Sequence, residues 1–453
     1  MMIMSKTKTL DLTCGPIFKT LSELALPIMA SSFLGTAYSI TDMAWIGMLG
    51  SKAVAGIGVG SMFVWLSQGV VALARMGGQV NVAQCCGRND TEEATHYASC
   101  ALQLTIVFAF IYSAFCLIFM KPLLSFFNLS DAESYAAAVI YMKVTCGLIL
   151  FSFLSLTLTG LFTAQGDSRT PFLANLIGLV GNMILDPLLI LGIGPFPRLE
   201  AMGAAIATVT AQFLVMSVMM IHIFLPKSGK NILKHVKLFS LSPRKYYRSI
   251  CRIGIPTALQ SSLYCMISMV LTRMISGFGA AAVATQRVGG QIESLSWNTA
   301  DGFGAALNAF VGQNYGAKKS DRIRKGYSIS LRILVIWGAL ISAAFIFLPT
   351  PISRLFFHEA EAIQISAEYL VILGFSEIFM CVELMTVGAL SGLGKTTLCS
   401  VISITLTGAR IPLAMFLTSI GMGLSGIWWA LTISSIAKGI LFYLTFKYTE
   451  RKL

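Results

Sequence analysis

Long apolar runs separated by short polar breaks fill the chain from about residue 20 to its end. Crossing a bilayer takes roughly 20 apolar residues as helix, so each run reads as one membrane-spanning helix. The breaks give twelve. Six lie at about 20–48, 53–83, 97–120, 134–163, 170–194 and 202–225. Six more lie at about 250–277, 282–312, 327–349, 363–391, 398–420 and 424–446. Several exceed 20 residues, which allows tilt or ends projecting into water. The expected fold is an all-α polytopic membrane protein. One stretch breaks the pattern: "AYSITDMAWIG" sets a carboxylate, Asp42, inside the first apolar run.

The two sets of six repeat one another at an offset of 229 residues. Pro27 falls on Pro256, Gly50 on Gly279, Val59-Gly60 on Val288-Gly289, Gln84 on Gln313 and Gly87 on Gly316. With small loop changes, "TAQGDSRT" parallels "SGLGKTT" and "MGAAIAT" parallels "LSGIWWAL". Apolar residues coincide often by chance; Pro, Gly and Gln at one offset do not. An even number of spans starts both halves on the same membrane face. They are therefore parallel repeats about an axis along the membrane normal, an architecture of alternating-access transporters. The expected division is a first lobe at 1–226, a basic linker at 227–247 and a second lobe at 248–453, around a central cavity.

Composition agrees with the pattern. The chain is 56% hydrophobic and 12% charged, whereas soluble domains carry about 25% charged residues. The net charge of +13 would suit nucleic acid, but its placement argues otherwise. With both termini in the cytoplasm, about 22 basic residues fall inside, and only Lys52, Lys121, Arg198 and Arg354 outside. Charge is thus an orientation signal, aided by anionic lipid. The ten cysteines are scattered through apolar runs and read as small fillers. The polar N-terminus does not suggest a cleaved signal peptide.

Candidate chemistry is confined to a few intramembrane polar groups. Ser32, Gly35, Ser39 and Asp42 recur at helical steps and form a stripe on one face. "GNMILDPLL" sets Asn182 and Asp186 four apart, also on one face. A charged Asp at mid-bilayer costs roughly 2.5–3.5 kcal/mol on insertion scales, so two in one lobe need a reason. Either each is satisfied structurally, by hydrogen bonds or a base such as Lys143, or the acids form a pair that takes up and releases a proton. Pro27 can bend the first helix fifteen residues before Asp42, although a static kink fits equally well. In the second half Glu293 and Asp301 lie eight apart, within about 80° on a helix, and Glu377 and Glu383 follow. They read as static ion pairs with Arg273, Arg287 or Arg410, or as a negatively lined cavity for a cationic substrate. The 29 Phe and 22 Met suit membrane spans, and equally an adaptable cavity lining.

Two chemistries are set aside. "GALSGLGKTT" invites a phosphate-loop reading, but the first required glycine falls on Ala389 and a membrane span precedes it. Nucleotide is not expected as a partner. No Ser/His/Asp, Cys/His or metal-protease spacing occurs, so an enzyme with a cofactor is not expected either.

Four stretches carry a specific resemblance: "GPIFKTLSELALPIM…YSITDMAWIGMLGSKAVAGIGVG", "TAQGDSRTPFLANLIGLVGNMILDPLLILGIG", "MGAAIAT" and "AFVGQNYGAKKSDRIRKG". The chain resembles the MATE family, multidrug and toxic compound extrusion, over nearly its whole length. It resembles the prokaryotic DinF-like branch more than the NorM-like one. The resemblance implies export of amphipathic, often cationic drugs in exchange for protons or sodium, by a monomer in the bacterial cytoplasmic membrane. It makes Asp42 the first-helix acid, Pro27 the bending proline, and Asn182 and Asp186 the fifth-helix pair. Thr208 and Tyr141 become partners of that network. Protons are the first expectation, with sodium on Asp42, Asn182 and Asp186 the alternative. Where NorM-like members carry a seventh-helix Glu, this chain has Tyr264, which favours coupling through the first lobe. The rival readings are a flippase for lipid-linked saccharides, which needs a cationic cavity, and a non-transporting receptor or scaffold, which needs neither the duplication nor the acids.

Overall fold

The computed structural model describes residues 10–127, 131–193, 195–225, 231–357 and 359–453. Lys6, Lys8, Lys227 and Lys230 of the basic segments lie outside the described residues. The described chain is helical throughout, with no strand. Its helices are α1 (Ile17–Gly47), α2 (Ser51–Arg88), α3 (Thr91–Ile118), α4 (Met120–Ser125), α5 (Ala132–Gly147), α6 (Leu150–Ala164), α7 (Arg169–Ile190) and α8 (Glu200–Phe224). Then come α9 (Arg244–Ser276), α10 (Ala280–Gly316), α11 (Ser320–Phe347), α12 (Pro349–Arg354), α13 (Ala360–Gly374), α14 (Glu377–Gly392), α15 (Thr396–Gly408), α16 (Arg410–Leu417) and α17 (Gly423–Glu450).

Among the described residues, eight stretches are long and apolar enough to span a membrane, and no more than 44% of any such window is buried inside the protein. Phe110, Ile118 and Ile336 are each more than 60% exposed. Such faces are stable only against lipid. The twelve spans follow when α10 and two bent pairs are added and the stretch Thr396–Glu450 is divided at Gly421, whose φ is 95°.

Two expected single helices are bent. The fourth span breaks between α5 and α6 by 48°, and the tenth between α13 and α14 by 53°. Each first half ends at a glycine whose carbonyl is recovered by a serine from a neighbouring helix. Ser113 Oγ donates to the Gly147 carbonyl at 3.3 Å, and Ser342 Oγ donates to that of Gly374. A backbone acceptor freed within a membrane must find such a partner, and the serines make both bends tolerable.

The chain forms two compact units. One holds Leu26–Ala258, with the described residues 10–12; the other holds Thr13–Ala25 and Leu259–Leu453. Each unit therefore includes the first turns of a long helix whose remainder belongs to the other unit. The changeovers fall one or two residues from Pro27 and Pro256. In the first unit the start of α9 is seated tightly: a Cβ on Gly254 would lie 2.0 Å from the Leu73 carbonyl oxygen. In the second, Arg322 donates to the Cys14 and Gly15 carbonyls at 2.8 and 2.7 Å.

The duplication recurs in three dimensions. Gly50 and Gly279 precede α2 and α10 with φ of 95° and 105°, left-handed backbone that favours glycine. A Cβ on Gly60 would sit 2.9 Å from the Tyr141 ring, and one on Gly289 2.1 Å from the Tyr369 ring. Tyr369 is 1% exposed and wedged edge-on against Trp428, with ring centroids 5.2 Å apart. Its ring has nowhere to move. Gly289→Ala is expected to destabilise the protein by about 1–3 kcal/mol, the usual range for overpacking, and more than Gly60→Ala. Thermal unfolding of the two purified variants in detergent checks this, and equal melting points would refute the packing argument.

Candidate functional site

In the first unit α7 and α8 lie close because "MGAAIAT" is built of small residues. Ala201, Ala204 and Ala205 are buried with Ile46, Ile57, Tyr141 and Ile190 in one cluster, and a Cβ on Gly203 would lie 2.3 Å from the Leu189 carbonyl oxygen. This packing brings polar side chains of α1, α5, α7 and α8 to one place. Asn182 and Asp186 are 1% and 0% exposed, and Asn182 Nδ2 donates to Asp186 Oδ1 at 3.1 Å. Pro187, next in the chain, has no N–H for the Met183 carbonyl, so the α7 ladder is weakest beside the acid.

Asp42 of α1 adjoins Asp186, and Tyr141 of α5 faces both acids and Thr208 of α8. All five residues expected at the first-lobe site therefore meet. The sequence reading missed Tyr38, whose hydroxyl donates to Thr208 Oγ1 at 3.2 Å. Its signal was available: it precedes Asp42 by four residues, on the same face of α1. Among the described residues no ion pair reaches Asp42 or Asp186, and Lys143 is exposed. Asp42 Oδ1 and Asp186 Oδ2 are buried and accept no hydrogen bond among the described residues. Two ionised carboxylates offer acceptors alone. Their meeting is chemically complete only with a proton or small cation that both accept.

The second unit sorts its acids differently. Glu383 is buried and takes a salt bridge from Lys438 of α17 at 2.8 Å. This is the static pairing expected, but with a lysine the sequence reading did not single out. Arg410 is 7% exposed and donates to Ser434 and Ser435 at 3.1 and 3.0 Å. Arg273 and Arg287 are exposed. Glu377, 1% exposed, faces Glu293 and Ser296, and Glu293 faces Tyr369 and Arg410. Glu377 Oε2 and the Tyr369 hydroxyl are buried with no hydrogen bond among the described residues. Asp301, about 12 Å farther along α10, is exposed and does not join this pair. Tyr141 and Tyr369 hold corresponding places in the repeat, so each unit sets a tyrosine against two carboxyl groups.

The family comparison repeats this symmetry. The MatE family model matches residues 27–188 and again 256–436, each match opening on one of the paired prolines. This chain belongs to the MATE family. It is accordingly a multi-pass membrane transporter and not an enzyme. It is 29% identical to a probable multidrug resistance protein NorM of Thermotoga maritima, covering 96% of this chain and 94% of the relative. It is 26% identical to an FAD transporter of Shewanella oneidensis, covering 95% of each. Among solved structures, a MOP superfamily transporter from Pyrococcus furiosus superposes with a TM-score of 0.88 at 21% identity, covering 98% of this chain and 99% of that one. A Vibrio cholerae MATE transporter gives 0.87 at 21%, covering 96% and 98%.

Proposed function

We propose that this MATE protein exports amphipathic, often cationic small molecules from the cytoplasm in exchange for protons, taken up at Asp42 and Asp186. One observation carries the reading. Among the described residues, two adjoining intramembrane carboxyl groups lack a basic partner, and each has a buried oxygen without a hydrogen bond. Asn182, Thr208, Tyr38 and Tyr141 position the pair. A proton entering between the two removes their repulsion, so the site binds it in one state and gives it up when the site opens to the other face. Pro27, where α1 leaves one compact unit for the other, is the point at which the helix bends in response. Glu293 and Glu377 supply negative charge toward a cationic substrate. The two lobes are 1–226 and 248–453, both termini face the cytoplasm, and the protein works as a monomer in the cytoplasmic membrane. Tyr264, where NorM-like members carry a Glu, supports coupling through the first lobe, and the chain is read as nearer the DinF-like branch.

Transport of ethidium or norfloxacin into proteoliposomes tests this, driven in turn by a pH gradient and a sodium gradient. Movement with the pH gradient alone is expected. Movement with sodium alone would make the same oxygens a sodium site. If neither gradient moves either dye, the drug reading fails, and FAD, the cargo named for the Shewanella relative, is the next substrate to load.

A further inference from the structure

Residues 231–243 pack on the start of α3 and there line a cavity of about 500 Å³. The inner end of this segment is fixed firmly. Ile232 and Leu233 are buried, and the Ile232 N–H donates to Gln165 Oε1 at 3.1 Å. Lys237 N–H donates to Ser99 Oγ at 3.1 Å. Gln103 Nε2 then lies at 3.2, 2.8 and 3.0 Å from the carbonyl oxygens of Lys237, Leu238 and Ser240. Gln103 stands twelve residues into α3, about 18 Å from its start, and α3 carries no charged residue from Ala98 onward. The segment is therefore held level with the apolar part of a spanning helix. Irregular backbone survives at that depth only when its carbonyls are satisfied, which is what Gln103 does.

Its side chains divide by chemistry. Phe239 and Leu241 are 104% and 87% exposed, two bare apolar side chains two residues apart. The cavity is lined by His96, Ser99, Lys234, His235, Lys237 and Ser240, the last lying between Phe239 and Leu241 in the chain, with exposed Glu92 the one carboxylate of the lining. Lys234 Nζ holds the Leu225 carbonyl at 3.1 Å, which fixes one ammonium at the wall. Arg244, Lys245 and Arg248 follow directly and are exposed. Basic groups and hydroxyls in the cavity, with bare apolar side chains beside them, match a phosphodiester headgroup and its acyl chains.

We propose that residues 231–243 form an interfacial anchor that seats the headgroup of one anionic phospholipid in this cavity, with Phe239 and Leu241 entering the acyl region beside it. The bound lipid belongs to the leaflet that faces the basic loops. It fixes the connection between the two halves of the chain against the bilayer rather than leaving it free in water.

Native mass spectrometry of the full-length protein, equilibrated with equimolar phosphatidylglycerol and phosphatidylcholine, tests the proposal. Wild type is expected to retain phosphatidylglycerol selectively. Lys234→Gln with Lys237→Gln is expected to lose that preference by about tenfold or more, at roughly 1 kcal/mol per basic residue near an anionic surface. Lys237→Gln alone, at an exposed side chain whose backbone contacts are untouched, is expected to lose part of it and stands in should the double variant misfold. Phe239→Ser with Leu241→Ser is expected to weaken both lipids alike. An unchanged preference in the lysine variants overturns the proposal. So does displacement of the lipid by millimolar inorganic phosphate, which would make the cavity a soluble-anion site.

Discussion

Asp42→Asn is expected to abolish gradient-driven transport while leaving the protein folded and at least as stable as wild type. The two halves of that result come from the same geometry. Asn is isosteric with Asp and cannot take up a proton at neutral pH, so the ion no longer distinguishes the two states of the transporter. A ligand without differential affinity shifts no equilibrium, however steep its gradient. The proton-driven component should therefore fall at least about tenfold, the effect of losing about 1.4 kcal/mol of coupling. Stability should not fall with it, because burying a carboxylate whose Oδ1 has no partner costs free energy that an amide does not. Asp186→Asn should behave alike, since its side-chain carbonyl can still accept from Asn182 Nδ2. Wild type and both variants are compared in proteoliposomes under an imposed pH gradient, with thermal unfolding measured on the same preparations. Undiminished efflux by Asp42→Asn would sink the first-lobe mechanism. A variant that loses transport and melts early would show a structural acid instead.

Much of this site was legible before any coordinates, for one physical reason: an acid in an apolar run is conspicuous whatever its surroundings. Asp42, Asn182 and Asp186 carry that signal in the chain itself. Tyr38 carries a weaker one, its place four residues before Asp42 on one face, and Tyr369 carries none, because a tyrosine in a spanning helix is ordinary until its hydroxyl is seen to face an acid. The spans were legible for a similar reason, hydropathy being a property of contiguous residues. The bends at Gly147 and Gly374 were not. They depend on serines of α3 and α11, far away in sequence, that recover the freed carbonyls. The repeat sits between these cases. Its offset was readable from Pro and Gly positions, but that Gly60 and Gly289 repeat for the sake of Tyr141 and Tyr369 follows only from the packing. Lys438 escaped notice because a lysine toward the end of an apolar run reads as a side chain reaching for the membrane surface. In the fold it turns inward and is 5% exposed.

That inward lysine sets up the largest stability effect expected in the second unit. Lys438 and Glu383 are both buried, 2.8 Å apart, and Arg410, a buried base of the same unit, donates to Ser434 and Ser435. Among the described residues no second ion pair reaches Glu383. Lys438→Met therefore leaves a buried carboxylate alone, and Glu383→Leu leaves a buried ammonium alone; each is expected to cost about 3–5 kcal/mol. Replacing both together removes the two desolvation penalties along with the attraction, so Glu383→Leu with Lys438→Met should recover most of the loss. Melting points of the three variants in detergent decide it. If the double variant falls as far as the sum of the singles, the pair is not what holds these groups. Transport separates structure from coupling in the same set. A static pair predicts that the double variant, once refolded to near wild-type stability, still moves substrate with the pH gradient. A double variant that is stable but uncoupled would instead draw Glu383 and Lys438 into the coupling machinery, alongside Asp42 and Asp186.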